Sequence, residues 1–437
     1  MADRANSPSP VVEAMYAREM WPWALLGIGC GLVEGGTVAV LVKRGFEGLV
    51  ATQVVNLAVA IVSGAPALAN ISSFAWANLA HGRARVGVLA GIQAAFAVAV
   101  GLVALAPIAP GGIALTLIAV IVARVLWAGI LTVRAAIWSA NYPRHVMARI
   151  TSRIVMASSL GIALVALLAG WILDAHARSA RWLYLFAAAC GLVAALRYRA
   201  VRVRREYQLL AAEAGVGAAD GAFSLGMFRQ ILREDPAFRS YMFWMSLYGS
   251  GNLMMTAQLV VLFTDRLHLP SLTQILLLTV VPLLLMPLFL PAWARLFDRG
   301  HIIEYRSRQC WALVGAIVLL TGGVTLKTQW LLWPGAVLIG LSYAGANLGW
   351  NLGHNDFASP GRAQHYMGVH VTLTGVRGLI APALGMVCYE LVEWRWPGDG
   401  VAVLLLPMML IAAGALGFVS MRQAMSENIN EKEHTTY

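Results

Sequence analysis

Apolar residues run in blocks of about 20 along this chain, each closed by a short polar or glycine-rich interruption. That block length matches a helix crossing a hydrocarbon layer ~30 Å thick. The pattern predicts spans at 20–42, 48–75, 86–107, 113–139, 150–173 and 181–198. After a long polar stretch it predicts six more, at 239–263, 271–293, 308–326, 330–355, 366–389 and 400–421. The expected fold is all-α: a polytopic membrane protein with twelve transmembrane helices as two six-helix bundles. The chain divides into an N-terminal segment (1–19), a first bundle (20–198), a linker (199–238), a second bundle (239–421) and a tail (422–437).

The division into halves rests on a repeat. Trp76-Ala77-Asn78-Leu79-Ala80-His81-Gly82-Arg83 closes the second span, and Trp293-Ala294-Arg295-Leu296-Phe297-Asp298-Arg299-Gly300 closes the eighth. A match at the same place in two hydropathy patterns argues for one unit used twice. A weaker copy joins spans 4 and 5 (Asn141-Tyr142-Pro143, then Arg144 and Arg149) and spans 10 and 11 (Asn355-Asp356-Phe357, then Pro360 and Arg362).

Composition agrees with the spans. The chain is 59% hydrophobic and 12% charged, with mean hydropathy +0.71, outside the range of soluble domains. The net charge of +11 could indicate a nucleic-acid partner, but the cations sit in loops between apolar runs, so no nucleic acid is expected. One set of loops carries Arg83, Arg85, Arg144, Arg149, the run Arg197 to Arg205, Arg295, Arg299, Arg306, Arg308 and Arg362. The alternate set carries fewer: Lys43, Arg44, Arg178, Arg181, Arg266, Lys327 and Arg395. The richer set is expected in the cytoplasm, which places a multi-pass protein in the cell (inner) membrane with both termini inside. No removable signal segment is read in 1–19. The four cysteines are scattered singly, so no disulfide, metal or thiol-redox chemistry is expected.

The linker begins basic, continues through a small, flexible stretch from Ala211 to Gly221, and ends in Leu225–Leu232. That end is either an amphipathic helix on the inner leaflet or a solvated connection. The tail after Arg422 reads as disordered.

Six plus six spans, a long linker and a repeated corner resemble the major facilitator superfamily. Ala294-Arg295-Leu296-Phe297-Asp298-Arg299 is similar to the family's loop motif. The first copy has His81 where the family has Asp and Gly82 where it has Arg, while Arg85 fits. Arg124-Val125-Leu126-Trp127-Ala128-Gly129 is similar to the family's Arg-x-x-x-Gly element. Gly375-Val376-Arg377-Gly378 with Pro382-Ala383-Leu384-Gly385 resembles the glycine-proline bend of family antiporters, but it lies in span 11 instead of span 5. The resemblance implies alternating access around a central cavity lined by spans 1, 4, 7 and 10, with His81, Arg85, Asp298 and Arg299 in the cytoplasmic gate loops.

Polar residues inside spans are few and costly, about 2.5–3.5 kcal/mol for a mid-helix charge on insertion scales. Glu34 is the carboxylate well inside an apolar run, about 12 Å from the outer end. Arg124 starts about 17 Å from that side, close enough in depth to meet it. The expectation is a charge switch that opens when Glu34 takes a proton or solute arrives, because a buried ion pair adds little net stability. A structural hydrogen bond for Glu34 and helix packing for Arg124 are the alternatives. Asn347, Asn351 and Asn355 share one helix face and suit an uncharged or zwitterionic ligand, or they bond neighbouring helices. Asn252 and Gln258 stand in span 7. Arg377 has no acidic partner in the sequence: it either neutralises an anionic solute or donates to backbone carbonyls. His354, Asp356, His365 and His370 fit no metal-ligand spacing, and no metal is expected. Gly27, Gly31 and Gly35 allow close helix packing.

The expected function is secondary active transport of a small solute across the cytoplasmic membrane, without enzymatic chemistry, since no nucleotide or nucleophile motif occurs. Proton coupling is expected, with a proton or other ion as partner, the lipid bilayer as surroundings and no cofactor. The excess of Arg over acid tilts the solute towards an anion or zwitterion. The competing reading is a non-transporting, facilitator-like membrane protein acting as assembly factor or scaffold for a partner complex, motivated by His81.

Overall fold

The computed structural model describes residues 10–176, 179–214, 225–359 and 362–435. Arg178, Pro360 and positions 215–221 of the expected flexible stretch lie outside them. The described residues form helices and no strand. In chain order they are α1 (Pro10–Leu32), α2 (Gly35–Phe46), α3 (Thr52–Ala80), α4 (Arg85–Leu105), α5 (Gly112–Asn141), α6 (Arg144–His176), α7 (Ala180–Tyr198) and α8 (Glu206–Ala214). Then come α9 (Leu225–Glu234), α10 (Pro236–Asp265), α11 (Ser271–Phe297), α12 (Ile302–Thr325), α13 (Leu332–Leu352), α14 (Ala363–Arg395) and α15 (Leu405–Thr435).

Among the described residues ten helices are long and apolar enough to cross a membrane, or eleven when α1 and α2 count as one bent span. The 30 residues of α10 are also long enough, about 45 Å, but Ser240, Ser246, Ser250, Asn252 and Gln258 dilute their apolar character. The fold is thus an all-α polytopic membrane fold.

The chain separates into two compact units. The first is Met1–Ala222 with Pro270–Ile275; the second is Phe223–Leu269 with Leu276–Tyr437. In the first, glycines bring α1 and α6 into backbone contact. A Cβ added at Gly31 would stand 2.8 Å from the Ile162 carbonyl oxygen, and one at Gly161 would stand 2.5 Å from that of Ala24. Gly27 meets the Ser158 carbonyl in the same seam, and Gly35 faces Ser63 of α3. Packing, the expected role of these glycines, is what they do. In the second unit the corresponding closeness is between α10 and α15, where Gly251 abuts the Pro407 carbonyl oxygen and Gly414 that of Trp244, at 2.6 and 2.9 Å from an added Cβ.

The repeat read from the letters has a structural counterpart inside each unit. Trp76 donates its indole N–H to the Val125 carbonyl (3.0 Å), and its ring covers Gly129 one turn later. Trp293 donates to the Leu341 carbonyl (2.9 Å), and its ring covers Gly345 one turn later. The paired positions stand 216 or 217 residues apart. A buried indole N–H in hydrocarbon requires an acceptor, and a glycine lets the ring approach the helix that supplies it.

Several boundaries differ from the sequence reading. The first span is two helices bent by 45° at Val33–Glu34. The carbonyl of Leu32 freed at the break accepts from the Tyr184 hydroxyl (3.2 Å). α1 begins at Pro10, so Glu19, placed in the N-terminal segment from sequence, is fully buried. Lys43, read as a loop cation, is buried at the end of α2 and bonds the Asn56 side chain (2.9 Å). Arg306, also read as a loop cation, is fully buried because α12 starts six residues earlier than expected and turns it inward. The tail is helical to Thr435. The end of the linker is the helix α9, whose Ile231 is buried.

Valine at Gly129 or at Gly345 should destabilise the protein by about 1–3 kcal/mol by driving the tryptophan off its carbonyl. Thermal unfolding of the detergent-purified protein measures this. Equal melting of wild type and both variants would refute the paired indole contacts.

Candidate functional site

The break between α1 and α2 positions the first cluster. Glu34 sits at the break with extended backbone (φ −75°, ψ 138°) and starts α2 without capping it. Its carboxylate is therefore not spent on helix amides. Arg124, mid-way along α5, donates Nη1 to Glu34 Oε2 at 3.0 Å. The arginine side chain is 9% exposed and the carboxylate 37%. The pair is thus asymmetric: the cation is held inside while the anion reaches outward. Cys30 lies one turn before Glu34 with Sγ 3.7 Å from Glu34 Oε2 and 3.5 Å from Arg124 Nη1. The sequence reading missed Cys30, although its i, i+4 spacing to Glu34 was a usable signal. The Trp76 contact at Val125 fixes α5 beside this pair.

A second buried carboxylate in the same unit went unread. Glu19 accepts from Trp138 Nε1 (2.6 Å), Tyr142 Oη (2.9 Å) and Tyr198 Oη (3.1 Å). These donors come from α5, the corner after it and the end of α7. The Arg134 guanidinium stacks on the rings of Trp23 and Trp138, 4.6 and 4.2 Å from their centroids. The polar letters around Glu19 concealed it, because only the tertiary fold closes the aromatic ring around the carboxylate.

The second unit disposes its expected residues differently. Arg377 of α14 is buried and gives its donors to protein groups: Nη1 to the Met245 carbonyl, Nε to the Leu373 carbonyl (3.2 Å) and Nη2 to Thr374 Oγ1 (2.7 Å). Gly249 on α10 leaves the room for it. Of the two alternatives, this is the carbonyl-bonded arginine. Gln258 is fully buried and donates to the Gly385 carbonyl (3.0 Å), joining α10 to α14. Asn252 is partly exposed, and its Oδ1 has no partner among the described residues. Asn347 and Asn351 are exposed and bonded to each other, Asn351 Nδ2 reaching the Asn347 carbonyl at 2.8 Å. Asn355 leaves the stripe because α13 ends at Leu352 and a 3-10 turn follows. Asp356 accepts from the Ile302 amide (2.6 Å), at the start of α12. His370 is buried against Trp350, with ring centroids 5.6 Å apart. Among the described residues no three of His, Cys, Asp and Glu gather as metal ligands.

The two corner loops also differ. In the first, Gly82 adopts φ 64°. Its amide and the Arg85 guanidinium both donate to Glu213 of α8, the amide at 2.9 Å. A carboxylate from the linker thus serves the loop in which His81 replaces the family's Asp. The linker is pinned a second time where Asn141 bonds the Arg202 carbonyl (3.0 Å) and the Arg204 amide (2.8 Å). In the second corner Asp298 and Arg299 are exposed. Outside the spans, the Glu234 carboxyl is held below the ordinary carboxylate range by the Gln230 amide and then by Arg362. That contact is present at neutral pH and is lost as pH falls through the lowered value.

A profile of the Major Facilitator Superfamily matches residues 25–382. No match to a curated protein was found. Among solved structures, the chain is similar in fold to the POT family transporter PepTSo (TM-score 0.69, 10% identity, 96% of this chain and 99% of that one). It is similar to a D-xylose-proton symporter (0.67, 12%, 94% and 97%) and to the nucleoside transporter NupG (0.62, 14%, 94% and 99%).

Replacing Glu19 by Ala should cost about 1–3 kcal/mol, the penalty for leaving buried donors unpaired. Glu19→Gln should cost less, because its amide oxygen still accepts. Melting temperatures of the two variants check the order, and a harmless Glu19→Ala would remove Glu19 from the architecture.

Proposed function

This chain belongs to the Major Facilitator Superfamily, and from that premise we propose that it is a proton-coupled secondary transporter of a small anionic or zwitterionic solute, working by alternating access. It is a transporter and not an enzyme. The observation that carries the finer reading is the Glu34–Arg124 pair at the helix break. Protonation of the more exposed partner, Glu34, removes the charge that holds Arg124. The released guanidinium, with its fork of N–H donors, then suits a carboxylate or phosphate of the solute. When solute leaves, Glu34 gives its proton to water and the ion pair with Arg124 re-forms. Such a cycle links one proton to one anionic group through a switch of partners, a use that suits a buried pair better than stability does. Asn347, Asn351 and Asn252 supply amides for the uncharged parts of a solute. Arg377 and Gln258 are committed to α10 and α14 and are assigned to holding those helices. Both termini are assigned to the arginine-rich, cytoplasmic side of the inner membrane. His81, Arg85, Asp298 and Arg299 are assigned to the inner loops that rearrange during the cycle, and the bundle, linker and tail boundaries read from sequence are retained.

A thermal-shift screen of the purified protein against anionic and zwitterionic metabolites finds the solute class. At 100 times its dissociation constant a ligand stabilises the folded state by ~2.7 kcal/mol. Arg124→Ala should abolish the response. Glu34→Gln should leave binding in place but remove its dependence on pH, and in proteoliposomes it should uncouple uptake from a proton gradient. Unchanged transport and unchanged pH dependence in Glu34→Gln would defeat the proposal.

Maleimide labelling gives a second check that needs no known solute. Cys30 is buried behind the pair, so it should label slowly in the wild type and several-fold faster in Glu34→Gln. Equal rates would show that the pair does not close that site.

A further inference from the structure

The first unit carries an apolar groove between α1, α6 and α7. Its floor is made of small residues, Ala24, Ala157 and Gly161, and its walls of large ones, among them Trp21, Leu164 and Phe186. The close approach of α1 and α6 at Gly161 creates that floor. The walls are open: Trp21 is 70% exposed, Leu164 66% and Phe186 55%.

The dimensions along α6 suit one acyl chain. From Ala157 to Leu168 the groove extends about 16 Å, close to half of a ~30 Å hydrocarbon core. One end is apolar. The other continues, one and two turns back on the same face of α6, to Arg153 and Arg149, both exposed. Arg153 has no hydrogen-bond or ion-pair partner among the described residues, whereas Arg149 already makes a contact within the protein. Ala157 to Arg149 is about 12 Å along the helix, which brings the cations to headgroup depth. Trp21 lies in the wall at the same end, as amphipathic rings do at a membrane interface.

We propose that this groove is a binding site for an anionic phospholipid, with an acyl chain along Ala157–Leu168 and the phosphate on Arg149 and Arg153. The charge of the ligand follows from the two arginines, and its apolar tail from the length and lining of the groove. That the lipid belongs to the inner leaflet rests on the proposed orientation; the lipid class does not. A bound lipid of this kind would brace α1 where it leads up to the Glu34 break.

Native mass spectrometry of the full-length protein, exchanged into mixed micelles containing phosphatidylglycerol or phosphatidylcholine, tests the site. The wild type should retain phosphatidylglycerol at least tenfold over phosphatidylcholine, from about fivefold per arginine. Arg149→Gln/Arg153→Gln should erase that preference. Ala157→Phe should displace both lipids by filling the floor. Leu164→Trp, at an exposed wall position, serves as a second filler if Ala157→Phe fails to fold. Equal retention of the two lipids by the wild type, a preference that survives the double arginine variant, or unchanged lipid in a folded groove-filling variant would each overturn the proposal. Because the readout is lipid retention, the result is independent of whether Glu34 couples protons.

Discussion

A chain in hydrocarbon must satisfy its backbone amides and carbonyls from within itself, and that requirement governs this structure down to its irregularities. Helices meet it along most of the length. Where they break, another side chain steps in. At Val33–Glu34 the Leu32 carbonyl is taken up by Tyr184. The break is then affordable, and it lets a carboxylate stand free of helix amides where Arg124 can reach it. The candidate switch is in this sense a by-product of how the break is satisfied.

The same requirement explains why tryptophans mark the repeat. Trp76 and Trp293 each carry one donor into an apolar setting, and each finds a carbonyl on the helix opposite with a glycine one turn on. The two units then diverge in charge. The first surrounds its α5 contact with Arg124, Glu34 and Cys30. The second has Gly340 at the position matching Arg124, packed against Pro282 of α11. One half therefore carries a partly buried ion pair, and the other holds Arg377 on protein acceptors.

The linker bears on this as well. Glu213 binds the Gly82–Arg85 loop and Asn141 grips residues 202 and 204. The connection is therefore a structural part of the first unit up to α8. His81 looks like a lost function when the loop is read alone. In three dimensions the carboxylate arrives from more than a hundred residues away.

Hydropathy alone determined that the chain is helical, that it crosses the membrane repeatedly and that it is built twice, because span length and loop charge are local properties with strong energetic penalties. It also singled out Glu34 and Arg124, since charge inside an apolar run is conspicuous and similar depth is readable from residue counts. The tertiary structure alone decided that Glu34 stands at a bend, that Cys30 joins the pair, that Arg377 and Gln258 are occupied, and that Glu19, Lys43 and Arg306 are buried. Those outcomes depend on which helix faces which, and a side chain near the end of a span looks the same in sequence whether it meets water or three donors from distant helices.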